Sequence, residues 1–234
     1  MLQTNITPSS IFSNTGKNNI LPDKNNNKDK KLIPDHQFGF RNKHSTIEQM
    51  HRLINEIIII ALENKEYCTA FFIDIEKAFD KINHESLLQT IRKQFPEQIH
   101  QLIKSYLCSR TFVIKIKDTY SQVKDIKAGV PQGSVLGPIL YTLYTANIPT
   151  TTNSTVLTFA DDTGILVSHT NPGTAVKILQ EHIIKIENWL EEKQIKTNKC
   201  NHITFTLRKK IPPNILLNGT HITQTKHVKY LGLH

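Results

Sequence analysis

The sequence has little cysteine. Its three, Cys68, Cys108 and Cys200, lie far apart and form no CxxC pair. That spacing disfavours a disulfide framework and a zinc site, and it suits a reducing compartment. There is no long apolar run either. The densest, Ile57–Leu62, spans six residues between Glu56 and Glu63, far short of the roughly 18–20 needed to cross a membrane. No charged-then-apolar leader opens the chain. These absences predict a soluble intracellular protein with no membrane partner. No internal repeat is visible, and acids are scarce relative to bases. The 20 Asp+Glu against 29 Lys+Arg leave a formal charge of +9. Such a balance fits a polyanionic partner, most often nucleic acid, with an indifferent basic surface as the alternative.

The rest is ordinary. A chain of 234 residues with 38% hydrophobic and 21% charged residues is globular in composition. Residues 1–31 are rich in Asn, Lys and Ser and show no periodicity, so they are expected to be poorly ordered. Periodic segments start at Leu32. Helices are predicted at Thr46–Lys65 (capped by Ser45 or Thr46), His84–Lys93, Pro96–Leu107, Leu136–Asn147 and Thr174–Ile195. The last carries the stripe Val176, Leu179, Ile183, Ile186 and Leu190 at steps of three and four. Strands are predicted at Tyr67–Ile73, Thr155–Ala160, Gly164–Ser168, His202–Leu207, Asn214–Leu217 and His227–Leu233. Thr111–Ile116 and Val123–Ala128 read as a basic two-stranded ribbon. Interspersed helices and antiparallel strands make the fold class α+β.

The acids occupy unusual places. Asp74 ends the apolar strand Phe71-Phe72-Ile73. Asp161-Asp162 interrupt two apolar stretches. A buried unpaired carboxylate costs several kcal/mol, so acids at the end of a buried strand need a reason. Adjacent strand residues point to opposite faces. Asp161-Asp162 are therefore expected at a hairpin tip, with Gly164 helping the turn. Three carboxylates so placed suit hard divalent ions such as Mg²⁺. An ordinary polar turn, and a helix cap at Asp74, are the plainer readings of the same residues.

Phe72-Ile73-Asp74-Ile75-Glu76-Lys77-Ala78-Phe79-Asp80 resembles motif A of reverse transcriptases. Gly129-Val130-Pro131-Gln132-Gly133-Ser134-Val135-Leu136-Gly137-Pro138 resembles motif B, and Phe159-Ala160-Asp161-Asp162 resembles motif C. Gln37-Phe38-Gly39-Phe40-Arg41 with His44-Ser45-Thr46 is similar to the preceding fingers motif. Lys199 before His202-Ile203-Thr204-Phe205 is similar to motif D, and Tyr230-Leu231-Gly232 to the primer-grip motif E. The wording resembles that of non-LTR retrotransposon (LINE-like, jockey-type) polymerases, from about Leu32 to His234.

This resemblance implies a right-hand polymerase palm with partial fingers: an antiparallel sheet backed by helices. It implies an RNA-directed DNA polymerase with an RNA template, a DNA primer and deoxynucleoside triphosphates as partners. Asp74, Asp161 and Asp162 would hold Mg²⁺, with Mn²⁺ as the substitute, and Lys199 would face the departing pyrophosphate. Ile75, Phe79, Gln132 and Gly133 would bind the nucleotide, Phe79 as the gate against a 2′-hydroxyl. A core position is the plainer reading of Phe79. Arg41, Tyr230, Leu231 and Gly232 would contact nucleic acid, although a salt bridge is an equal reading of Arg41. Asp80 and His84 read as a helix cap and its partner. Lys104, Arg110, Lys115, Lys117, Lys124 and Lys127 gather around the ribbon and suit a phosphate backbone or a solvated face.

The resemblance covers residues 32–234, from the second fingers motif into motif E. Residues 1–31 do not match the first fingers motif, and no thumb follows. The expectation is therefore a truncated retrotransposon fragment, with a catalytically inactive nucleic-acid-binding remnant as the alternative. Nuclear action is implied by the resemblance alone.

Overall fold

The computed structural model describes residues 32–41, 43–210 and 212–232. The expectation for residues 1–31 lies outside them. The central strand β1 (Tyr67–Ile75) is buried along nearly its whole length. Its residues alternate between two cores, as a strand covered on both faces must. Phe71, Ile73 and Ile75 enter the larger core; Cys68, Ala70 and Phe72 enter the smaller. β7 (Asp162–His169) and β8 (Thr197–Phe205) flank β1, and β6 (Thr155–Phe159) lies outside β7. Every pairing in this four-stranded sheet is antiparallel. With the helices around it, the sheet gives the expected α+β class.

Helix α1 (Thr46–Asn55) starts at a capping box. Ser45 Oγ accepts from the Glu48 amide, and the Glu48 carboxylate accepts from the Ser45 amide. The expected helix to residue 65 instead continues as a π-helical segment over Glu56–Glu63. α2 (His84–Gln94) and α3 (Glu97–Leu107) follow β1. α4 (Leu136–Thr145) is buried almost throughout. α5 (Pro172–Glu192) lays its predicted stripe into the larger core, where all five residues are buried. No helix among the described residues is long and apolar enough to cross a membrane. All three cysteines are free.

Three further expectations change. The ribbon consists of two short ladders: β2 (Thr111–Phe112) with β5 (Lys124–Asp125), and β3 (Lys115–Ile116) with β4 (Thr119–Tyr120). All its residues from 111 to 125 are exposed. The strand expected at 202–207 begins at Thr197. The strand expected at 227–233 is not formed among the described residues, because Leu231 and Gly232 are both left-handed (φ 50° and 84°) and turn the chain. The last ladder is instead the hairpin β9 (Ile215–Leu217) to β10 (Thr220–Ile222). Its turn is Asn218-Gly219, with φ 48° and 74°, the pair that type I′ turns favour.

Candidate active site

The strand register brings the three acids to one end of the sheet. The β6–β7 hairpin pairs Phe159 with Asp162, so its two-residue tip is Ala160-Asp161. Asp162 is thus the first residue of β7, not part of the tip. Gly164 does not make the turn: it lies within β7 opposite Phe72, where an added Cβ would stand 3.0 Å from the Phe72 ring. The left-handed tip residue is Ala160, φ 56°. Ile73 pairs with Thr163, so the next step of the same register sets Asp74 beside Asp162.

β8 departs from regular pairing here. Ile73 pairs with Cys200 and Ile75 with Thr197. Asn198 and Lys199 together therefore oppose Asp74, a bulge of the kind that re-aims side chains beside active sites. Asn198 Nδ2 donates to Asp74 Oδ2 at 3.1 Å. Lys199 is exposed in the same bulge.

The charges at this end are uncompensated. Among the described residues, none of the three carboxylates forms a salt bridge. Burial raises the Asp161 carboxyl, and the charge of Asp74 raises it further. Burial, then Asp161, then Asp74, push Asp162 up to about 6. The buried Tyr141 hydroxyl, without a hydrogen-bond partner among the described residues, is also raised, by burial first and then by Asp161 and Asp162. As they lie, no three acidic, histidine or cysteine side chains among the described residues stand together at ligating distance. The donor set nevertheless fits a hard divalent cation: all oxygen, anionic, mutually repelling and lacking a countercharge.

The remaining candidates form two groups. Phe79 is half-buried, 4.9 Å from the Tyr141 ring and 6.0 Å edge-on from Phe40. The Phe79 and Ile82 carbonyls accept from Val130 and Gly129, tying the 129–135 loop to the turn after β1. Gln132 Nε2 donates to Asp80 Oδ1 at 2.7 Å, and exposed Gly133 has open space around it. Ile75 is buried in the larger core. Asp80 and His84 are not a cap and its partner. Asn83 caps α2, Asp80 holds Gln132, and His84 Nε2 lies 2.7 Å from the Gly129 carbonyl oxygen.

The residues expected at nucleic acid stand apart. Arg41 folds back on its own loop, 3.5 Å from Asp35 and donating to the Pro34 and Gln37 carbonyls. Tyr230 is buried against Phe72 and receives a hydrogen bond from Gln49. Leu231 borders an apolar groove of about 320 Å³ against α1, and Gly232 is exposed. Sequence reasoning missed Asn198, and it gave Gln37 no role. The Gln37 side chain binds both sides of Ala160.

A model of the family described as "Reverse transcriptase (RNA-dependent DNA polymerase)" matches residues 17–234. The chain is 40% identical over 213 residues to the RNA-directed DNA polymerase from mobile element jockey of Drosophila melanogaster, covering 87% of this chain and 23% of that protein. It is 39% identical over 217 residues to the probable RNA-directed DNA polymerase from transposon BS of the same fly, covering 88% and 24%. The chain thus spans about a quarter of the length of these relatives. In fold it resembles apo telomerase from Candida tropicalis, with a TM-score of 0.53 at 18% identity, covering 85% of this chain and 40% of that one. Telomerase from Candida albicans gives 0.55 at 12% identity, covering 81% and 33%. The sheet end carrying Asp74, Asp161 and Asp162 is therefore set in a palm-like fold, and the chain belongs to the reverse transcriptase (RNA-dependent DNA polymerase) family, with its similarity to the non-LTR retrotransposon members.

Proposed function

We propose that this domain extends a DNA 3′ end on an RNA template, joining deoxynucleotides by two-metal nucleotidyl transfer. The observation that carries the reading is the gathering of Asp74, Asp161 and Asp162, without a countercharge, at the sheet end. A structural role would have been filled more cheaply by neutral residues. The three aspartates would hold Mg²⁺ or Mn²⁺. Bound there, the ions supply charge neutralisation at the attacking and leaving oxygens. Asn198 holds one Asp74 oxygen in place. Phe79, backed by Tyr141 and edged by Phe40, forms the floor on which the sugar rests and excludes a 2′-hydroxyl. The Gln132–Asp80 bond holds the 129–135 loop against that floor. Lys199, in the bulge opposite Asp74, neutralises or protonates the departing pyrophosphate. The +9 charge of the chain favours a nucleic-acid partner.

Primer extension on a DNA primer annealed to RNA, with deoxynucleotides and Mg²⁺ or Mn²⁺, tests the reading. Extension that disappears in Asp161→Ala supports it. Binding without extension, unchanged by Asp161→Ala, leaves an inactive nucleic-acid-binding domain and overturns it. The similarity to mobile-element polymerases supports nuclear action as part of the same proposal; a fluorescent fusion confined to the cytoplasm would refute that.

A further inference from the structure

Ala160 holds the tip of the aspartate hairpin in the left-handed conformation, where the Cβ of an L-residue crowds the following carbonyl oxygen. In a two-residue turn whose first position alone is left-handed, that position is normally glycine. Here φ is 56° at an alanine, and Asp161 is the next residue. Such strain persists only where the surroundings over-determine it.

Gln37 provides that. It is 3% exposed although polar. Its Oε1 accepts from the Ala160 amide at 3.0 Å and from the Gly39 amide at 2.7 Å, and its Nε2 approaches the Ala160 carbonyl at 3.4 Å. One carboxamide thus holds the peptide groups on both sides of the strained residue. The backbone around Gln37 is fastened to the same hairpin. Phe38 N donates to the Thr158 carbonyl at 2.9 Å, and Thr158 N donates to the His36 carbonyl at 3.0 Å. Residues 36–38 run as a short parallel edge beside β6. Gly39 lies so close that a Cβ there would stand 2.2 Å from Ala160 N. Any side chain at 39 would push the tip away.

We propose that Gln37 is a positioning residue: it sets the Ala160 peptide, and through it the direction of Asp161, without touching substrate. The proposal rests on the polymerase reading of the aspartates. In Gln37→Met, which keeps the chain length and removes the hydrogen bonds, amide exchange at Ala160 should quicken about tenfold, the equivalent of one hydrogen bond. Mn²⁺ affinity, read by electron paramagnetic resonance on the protein alone, should weaken to a similar degree. In primer extension, kcat should fall with little change in KM for the deoxynucleotide. Gly39→Ala, which displaces the tip by contact, should give the same pattern if Gln37→Met does not fold. Ser154→Ala, which removes a hydroxyl bonded to His182 at the other end of β6, should leave Ala160 exchange unchanged. A lowered melting temperature with unchanged Ala160 exchange and Mn²⁺ affinity would overturn the proposal, leaving Gln37 a core residue only. The Ala160 exchange rate decides the point whether or not the wild-type chain extends a primer. A wild type that neither extends a primer nor binds Mn²⁺ overturns the proposed function instead.

Discussion

Replacing Asp162 by asparagine should make the metal-free protein more stable. Asp162 titrates in the fold at about 6 against an ordinary 3.8, through burial and the charges of Asp161 and Asp74. A folded-state value above the unfolded one means that the folded protein holds the proton more tightly. Below about pH 4 both states are protonated and the group costs nothing. Between about pH 4 and 6 the cost grows, and above about pH 6 it is complete. At 1.36 kcal/mol per pH unit the displacement is worth ~3 kcal/mol at most. Asp162 keeps partial contact with water, and screening brings this to about 1.5 kcal/mol. For a chain of this size that is about 3–6 °C in melting temperature.

The assay is thermal unfolding of wild type and Asp162→Asn in chelator, at about pH 4 and about pH 7.5. The two should melt together at the lower pH, and the asparagine variant should melt higher at the upper one. Saturating Mg²⁺ should reverse the order. A ligand at a hundred times its Kd adds about 2.7 kcal/mol to a protein that binds it only when folded, and the variant has lost a ligand. Equal melting at about pH 7.5 in chelator, or no response of the wild type to Mg²⁺, would refute the reading of these acids as an unfilled cation site.

Other consequences follow from single contacts. Phe79→Val should relax discrimination against ribonucleotides by about tenfold or more, measured as the ratio of kcat/KM for paired deoxy- and ribonucleoside triphosphates. Asn198→Ala frees one Asp74 oxygen and should lower kcat several-fold at unchanged melting temperature, because the bond is exposed. Gly164→Ala puts a Cβ 3.0 Å from the Phe72 ring and should cost about 1–3 kcal/mol in denaturant unfolding. His202 is fully buried against Thr69 and lowered to about 4. A base lowered in the fold binds its proton mainly when unfolded, so stability should fall by up to ~3 kcal/mol as pH drops from 6.5 toward 4. The difference between the wild-type and His202→Gln melting profiles isolates that contribution from the other titrating groups.

What was legible in the sequence was what a residue's own neighbours determine. β1 showed as an unbroken apolar run because it is covered on both faces. The α5 stripe showed because one side of that helix faces a core. Of the two candidate caps, Ser45 and Thr46, it is Ser45 that starts α1. Asp74 stood out as a charge where burial forbids one without a purpose. Asn218-Gly219 is equally local, because the pair sets its own turn, whereas 227–233 reads extended until Leu231 and Gly232 turn it. The tip of the aspartate hairpin was misplaced for a related reason. Glycine is the residue that a left-handed tip prefers, so Gly164 drew the reading, whereas the fold puts the strain on Ala160.

The residues that hold the acids could not have been found in this way. Gln37 reaches Ala160 across 123 positions and Asn198 reaches Asp74 across 124. A buried carboxamide has no periodicity, and a bulge is visible only in the pairing of two strands. Gln37 can grip the tip only because residues 36–38 lie beside β6, and Asn198 reaches Asp74 only because β8 carries one residue more than β1 between Ile73 and Ile75. The ligand types at this site are therefore written in two short motifs, while their aim is written in the register. A substitution outside every motif, such as Asn198→Ala, should accordingly disturb the site, whereas burial alone gives no reason for Ile75, inside one, to touch a substrate.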